Sequence, residues 1–203
     1  MSKACVSFPL AAIGLLLLLH TGCGSVGNAA GSPSSTPGVS QIGQNQVKAV
    51  GADLEGVVSY KFANANLGDE WLIITVAIGG LRGEAIEIRQ QSISVRTPDG
   101  RSIPLPPQDE FIEAYPELQS TLRRALVASE PLEATRGGRQ PCELDFQRIP
   151  GTGTTRTSVW VTQRQLCVGM LSFPVQGGVQ PGRWKLVIEL EESVLEIPFL
   201  LGD

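Results

Sequence analysis

Histidine is nearly missing from this chain: one residue, His20, in 203. Everything after residue 20 therefore lacks the imidazole that a Ser-His-Asp or Cys-His nucleophilic site requires. Histidine-ligated zinc and iron sites are excluded with it. Apolar runs of membrane-spanning length are also missing, since the longest, around Leu15-Leu16-Leu17-Leu18-Leu19, has about ten residues where a bilayer core needs about 20. Charge is absent from residues 24–47. No Asn-x-Ser/Thr sequon and no internal repeat occurs. The glycine-rich Gly151-Thr152-Gly153-Thr154-Thr155-Arg156 lacks the Gly-Lys-Ser/Thr ending of a phosphate-binding loop. A formal net charge of −4 disfavours nucleic acid as a partner, and no cofactor or metal is expected.

What is present at the N-terminus is an ordered series: Lys3, then the apolar run, then Thr21-Gly22-Cys23. This resembles the signal peptide of bacterial lipoproteins, in which the cysteine is acylated and becomes the new N-terminus. His20 stands three positions before Cys23, where the family usually has leucine. The resemblance implies a signal peptide over 1–22, lipidation at Cys23, and a membrane partner reached through that anchor. Gly24, rather than Asp, follows the cysteine, so resemblance points to the outer membrane in a cell that has one. The alternative is a secretory signal cleaved near Asn28-Ala29-Ala30, giving a periplasmic or secreted protein.

Four cysteines occur: Cys5, Cys23, Cys142 and Cys167. Removal of the signal discards Cys5 and acylation occupies Cys23. Cys142 and Cys167 are left in an exported domain, where a disulfide is the expected state. Closing about 25 residues would stabilise by roughly 3.5 kcal/mol on the chain-entropy model. Residues 23–45, rich in Gly, Ser and Pro, read as a flexible tether.

From 46 to 203 the dominant period is two. Val58, Tyr60 and Phe62 alternate with Val57, Ser59 and Lys61, and Trp184, Leu186, Ile188 and Leu190 alternate with Arg183, Lys185 and Glu189. Ile86 and Ile88, Ile93 and Val95, and Cys142, Leu144 and Phe146 alternate with polar neighbours. The run Trp71-Leu72-Ile73-Ile74-Thr75-Val76-Ala77-Ile78 is apolar on both faces and predicts a central strand. Pro98-Asp99-Gly100 predicts a hairpin with a primed Asp-Gly turn. Phe111, Tyr115, Leu118, Leu122 and Leu126 recur at helical spacing, predicting a helical insertion over 107–129 divided at Pro116. The expected class is mainly β, an antiparallel sandwich. The segment Pro181-Gly182-Arg183-Trp184-Lys185-Leu186-Val187-Ile188-Glu189-Leu190 is similar to the closing strands of bacterial immunoglobulin-like domains, which implies an immunoglobulin-like fold.

Candidate chemistry is sparse. Residues 123–164 hold seven arginines, no lysine and four carboxylates. Arg136, Arg139, Arg148 and Arg156, set among glycines, are candidates for gripping an anion. Solubilising loops are the plainer reading. Ser59 and Lys61 stand two apart on one outward strand face, Asp109, Glu113 and Glu117 share a helix face, and Trp71, Trp160 and Trp184 could stack on sugars. Each has an ordinary structural alternative. The functional reading is an envelope lipoprotein that binds another envelope protein or glycan without catalysis. The rivals are a carbohydrate-binding module, which would need at least two tryptophan rings exposed and coplanar, and a glycan hydrolase using two of Asp109, Glu110, Glu113, Glu143 or Asp145, chemistry that needs no histidine.

Overall fold

The computed structural model describes residues 38–202. The signal, Cys23 and the tether before Gly38 lie outside the described residues. Strands β1 (Val39–Gly43), β2 (Gln46–Val50), β3 (Leu54–Ser59) and β4 (Trp71–Gly80) form an antiparallel meander. β10 (Gln165–Pro174) pairs antiparallel with β4, and β8 (Gln140–Glu143) completes a six-stranded sheet in the order β1-β2-β3-β4-β10-β8. A second sheet, ordered β12-β11-β6-β7, comprises β6 (Ile93–Arg96), β7 (Ser102–Pro104), β11 (Gly182–Glu189) and β12 (Val194–Leu201). β5 (Ile86–Arg89) and β9 (Ser158–Val161) make a separate two-stranded ribbon. The chain is thus mainly β with antiparallel sheets.

The two large sheets enclose one core. Tyr60, Ile74, Val76, Ile93, Val95, Leu186 and Ile188, the expected inward rows, are all buried within it. The Tyr60 ring stacks on Phe199 with centroids 5.4 Å apart. β4 lies centrally between β3 and β10, and both of its faces are used. Leu72, Ile74, Val76 and Ile78 enter the main core, whereas Ile73 and Ala77 point outward into two smaller clusters.

Those outer clusters are covered by helix α2 (Gln108–Ala128) and the segment after it. Phe111, Leu118, Leu122 and Ala125 of α2 pack with Ile73 and Phe62. Beyond the helix, Leu132 covers Val57, Ala77 and Leu166. Asp109 and Glu110 occupy the first turn, as the helix dipole prefers.

Several expectations are corrected. β1 begins at Val39, inside the stretch read as tether. The sheet captures it because Val39 packs against the core and Val50 N donates to Gly38 O at 2.8 Å. Pro116 does not divide the helix. It lies on the exposed side, where a missing N–H bends a helix along its natural solvent-convex curve. Leu126 is exposed, and Ala125 takes the buried position. After Ser59 the chain turns into the short helix α1 (Lys61–Ala65), so Phe62 leaves the alternation of β3 and joins α2. The β6–β7 turn centres on Pro98-Asp99, not Asp99-Gly100: Gly100 N donates to Thr97 O at 3.0 Å, and Gly100 follows with φ 88°. Proline's fixed φ suits the first central position of such a turn.

One pairing is parallel. β8 and β10 run side by side in register, with Cys142 opposite Cys167. Their Cα atoms are 4.2 Å apart and the two residues form a disulfide across a separation of 25. Cys167 is fully buried in the main core and Cys142 packs against it.

Candidate functional site

The four candidate arginines do not converge. Arg139 lies on the outer face of the six-stranded sheet, where its guanidinium pairs with Glu55 of β3. Lys48 of β2 reaches the other oxygen of the same carboxylate at 2.5 Å. Burial raises the Glu55 pKa, but the hydrogen bond from Lys48 and the charges of Arg139 and Lys48 outweigh it, and the group sits below its ordinary value. A cavity of about 190 Å3 beside these groups is lined also by Val57, Thr135 and Leu166. Its charges are turned on one another. The cluster ties the segment around Leu132 to the sheet. Arg136 is half-buried on that segment and its carbonyl accepts from Arg139 Nε at 3.1 Å.

Arg148 sits elsewhere, in the loop after β8. Its Nη2 donates to Asp145 and Glu143, each at 2.5 Å, and Nη1 donates to Thr152 O at 3.3 Å. Asp145 above all, and then Glu143, hold this guanidinium protonated beyond its already high basicity. Arg156 is exposed, and its backbone N–H donates to Asp145 O at 2.8 Å. The loop between the cysteines is cinched at its base, yet one of its two candidate arginines, Arg148, is spent on internal acids.

The remaining candidates separate similarly. Ser59 is buried on β3 while Lys61 begins α1 and approaches Glu130 at 3.7 Å, so no dyad forms. Asp109, Glu110, Glu113 and Glu117 are exposed along α2. Among the described residues no group of three His, Cys, Asp or Glu side chains gathers as metal ligands. Trp184 is fully buried and donates to Gln180 O at 2.9 Å. Trp71 is half-buried against the α2 cluster. Trp160 alone of the three is open to solvent, at 57 % exposure, so the two-ring platform expected of a carbohydrate-binding module does not form from these tryptophans.

Trp160 marks a site that its residue type alone did not distinguish from the other two tryptophans. In the β5–β9 ribbon, Val159, Val161 and Ile88 point into the core, so the alternate residues Glu87, Arg89, Ser158 and Trp160 share the outward face. Glu87 lies directly opposite Trp160, and Arg89 opposite Ser158. Arg89 grips Glu87 Oε2 through Nε at 2.9 Å and Nη2 at 2.8 Å. Hydrogen bonding from Ser158, and then from Arg89, keeps the Glu87 carboxyl below its ordinary pKa. Next to this face runs an open groove of about 430 Å3, bounded by Glu87, Arg89, Gln90, Gln91, Thr157 and Ser158, with Leu105 and Pro107 as its apolar side. Gln90 Nε2 donates to Pro106 O at 2.7 Å and fixes the corner where ribbon and groove meet. No protein-family model, curated protein or solved structure matches this chain.

Proposed function

We propose that the chain is a non-catalytic binding module of the cell envelope, held to the membrane by an acylated Cys23 and addressed to the outer membrane where one exists. The anchor rests on the Lys3, apolar run and Thr21-Gly22-Cys23 series, and on the parity of the cysteines. With Cys142 and Cys167 joined, acylation of Cys23 leaves no odd thiol in the exported chain. An immunoglobulin-like sandwich is the fold reading that goes with it. Two facing sheets and the β11–β12 closing hairpin support that reading, while the parallel β8–β10 pair departs from it.

The observation that carries the non-catalytic reading is Arg148 between Glu143 and Asp145. A glycosidic general acid needs a carboxyl kept protonated by desolvation or a like charge. Here both acids are engaged by one guanidinium, Glu143 is itself exposed, and Asp109, Glu110 and Glu113 stand in open solvent. The anchor is tested by fractionation: Cys23→Ser is expected to move the protein from the membrane to the soluble fraction, and unchanged partition overturns it. Catalysis is tested by incubating the Cys23→Ser protein with purified envelope glycan. Co-sedimentation without release of reducing ends is expected, whereas release that Asp145→Asn abolishes would establish the hydrolase instead.

A further inference from the structure

We infer that the outward face of the β5–β9 ribbon, with the groove beside it, is a subsite for one unit of an uncharged saccharide, with the Trp160 indole as its stacking surface. The inference rests on the binding-module reading and adds a place and a ligand class to it. Four observations converge on it. Trp160 is more than half exposed on a strand, and among the described residues no aromatic ring stacks on it. A large apolar face left in water is the part of a site that an apolar ring face covers.

The backbone beneath the ring is also held in place. Its chain neighbours Val159 and Val161 are 3 % and 0 % exposed, and Ile88 on the paired strand is fully buried. A side chain on a backbone anchored in that way gives up only its own few torsions on binding, with no strand to order. The charges beside it cancel, because Arg89 and Glu87, the two ionised groups among the groove-lining residues, are bonded to each other. Among the groove-lining residues, a phosphate, sulfate or carboxylate ligand would meet the Glu87 carboxylate and no free cation. Finally, the rest of the rim supplies neutral polar groups: Gln90, the exposed Gln91, and Ser158. Amides and hydroxyls beside one aromatic face are the donor and acceptor set that a sugar's hydroxyls and opposite apolar face require.

The test is titration of the full chain, in a detergent without a sugar head group, with neutral trisaccharides: triacetylchitotriose, cellotriose, maltotriose and mannotriose. Inorganic phosphate and a sulfated disaccharide serve as charged probes. Binding is read by calorimetry and by tryptophan fluorescence, where Trp160 is the exposed fluorophore. At least one neutral trisaccharide is expected to bind, with affinity that salt does not change. Trp160→Ala is expected to weaken it at least about tenfold, Gln91→Ala several-fold, and Trp160→Phe less than Trp160→Ala. Near-ultraviolet circular dichroism checks that the variants stay folded, and Gln91→Ala leaves the ribbon's packing untouched. The inference is overturned if no neutral trisaccharide binds at up to about 10 mM, if Trp160→Ala binds as the wild type does, or if only the charged probes bind. Retained envelope co-sedimentation alongside any of those results leaves the binding module standing without this subsite; loss of both removes the two readings together.

Discussion

Gln147 substitutes for a strand in the loop after β8. Its side-chain amide donates to Ser172 O at 3.1 Å and accepts from Ser172 N at 2.9 Å, reproducing on β10 the pair of bonds a neighbouring backbone would make. Gln108 at the start of α2 treats Arg148 the same way, accepting from its N–H at 2.9 Å and donating to its carbonyl at 2.7 Å. Neither glutamine was legible in advance, because an amide has no periodicity and its partners lie 25 and 40 residues away. The Arg139–Glu55 pair was hidden for the same reason, its partners being 84 residues apart. Gly169 shows the same closeness between loop and strand: a Cβ there would lie 2.7 Å from Leu144 O. Gly169→Ala is expected to destabilise by about 1–3 kcal/mol in urea unfolding, since backbone rather than a flexible side chain must give way. Glu55 carries a pH signature. Its folded-state pKa is depressed, so its stabilisation is present above the ordinary carboxylate value of 4.5 and is lost as pH falls through the folded value. The wild type is therefore expected to exceed Glu55→Gln in stability at about pH 7, with the gap closing towards about pH 3. A gap that does not change with pH would mean that the carboxylate's charge contributes nothing.

At the scale of elements, alternation was the readable signal where one face is wet and the other dry. β6 and β12 follow it closely, β11 departs from it at the buried Val187, and the doubly apolar β4 proved central because both of its faces are covered. The short strands were harder. β8 ends at Glu143 although Leu144 and Phe146 remain buried, so burial continued after the ladder stopped. In α2, the choice between Ala125 and Leu126 was not decidable from spacing. Both follow Leu122 at helical intervals, and only the neighbouring sheet determines which one is covered. The structure turns Ala125 inward, fully buried, and leaves Leu126 57 % exposed. Truncations on the two sides of the helix should therefore differ sharply. Leu118→Ala, at a position 1 % exposed, is expected to cost about 2–5 kcal/mol. Leu126→Ala is expected to stay within about 0.5 kcal/mol of the wild type. Equal losses in denaturant unfolding would mean that α2 is rotated from the orientation described.

Across the whole molecule, the disulfide and the ribbon belong to one device. The ring closed by Cys142 and Cys167 contains β9, and therefore Trp160, as well as the loop clasped by Gln147 and Gln108. Parity of the thiols and their inward strand positions made this bridge legible. That the ring would contain a paired strand required the long crossover that makes β8 and β10 parallel. Two restraints thus act on β9: its ladder with β5, and the covalent closure at the base of its loop. Breaking the closure leaves the buried clasps in place but returns loop-closure entropy to the unfolded chain, about 3.5 kcal/mol for 25 residues on the entropic model. A Cys142→Ala/Cys167→Ala variant is expected to lose stability of that order. Its amide exchange should rise across both large sheets by a common factor if unfolding is global. Faster exchange confined to the loop and β9 would instead mean that the bridge chiefly restrains the ribbon locally. The geometry favours the global outcome, because the bridge is buried against the main core and joins neighbouring strands of the principal sheet, whereas β9 has its own anchors in Val159 and Val161. An unchanged urea midpoint in the double variant would show that the native clasps alone hold the crossover, and that the covalent closure adds nothing to them.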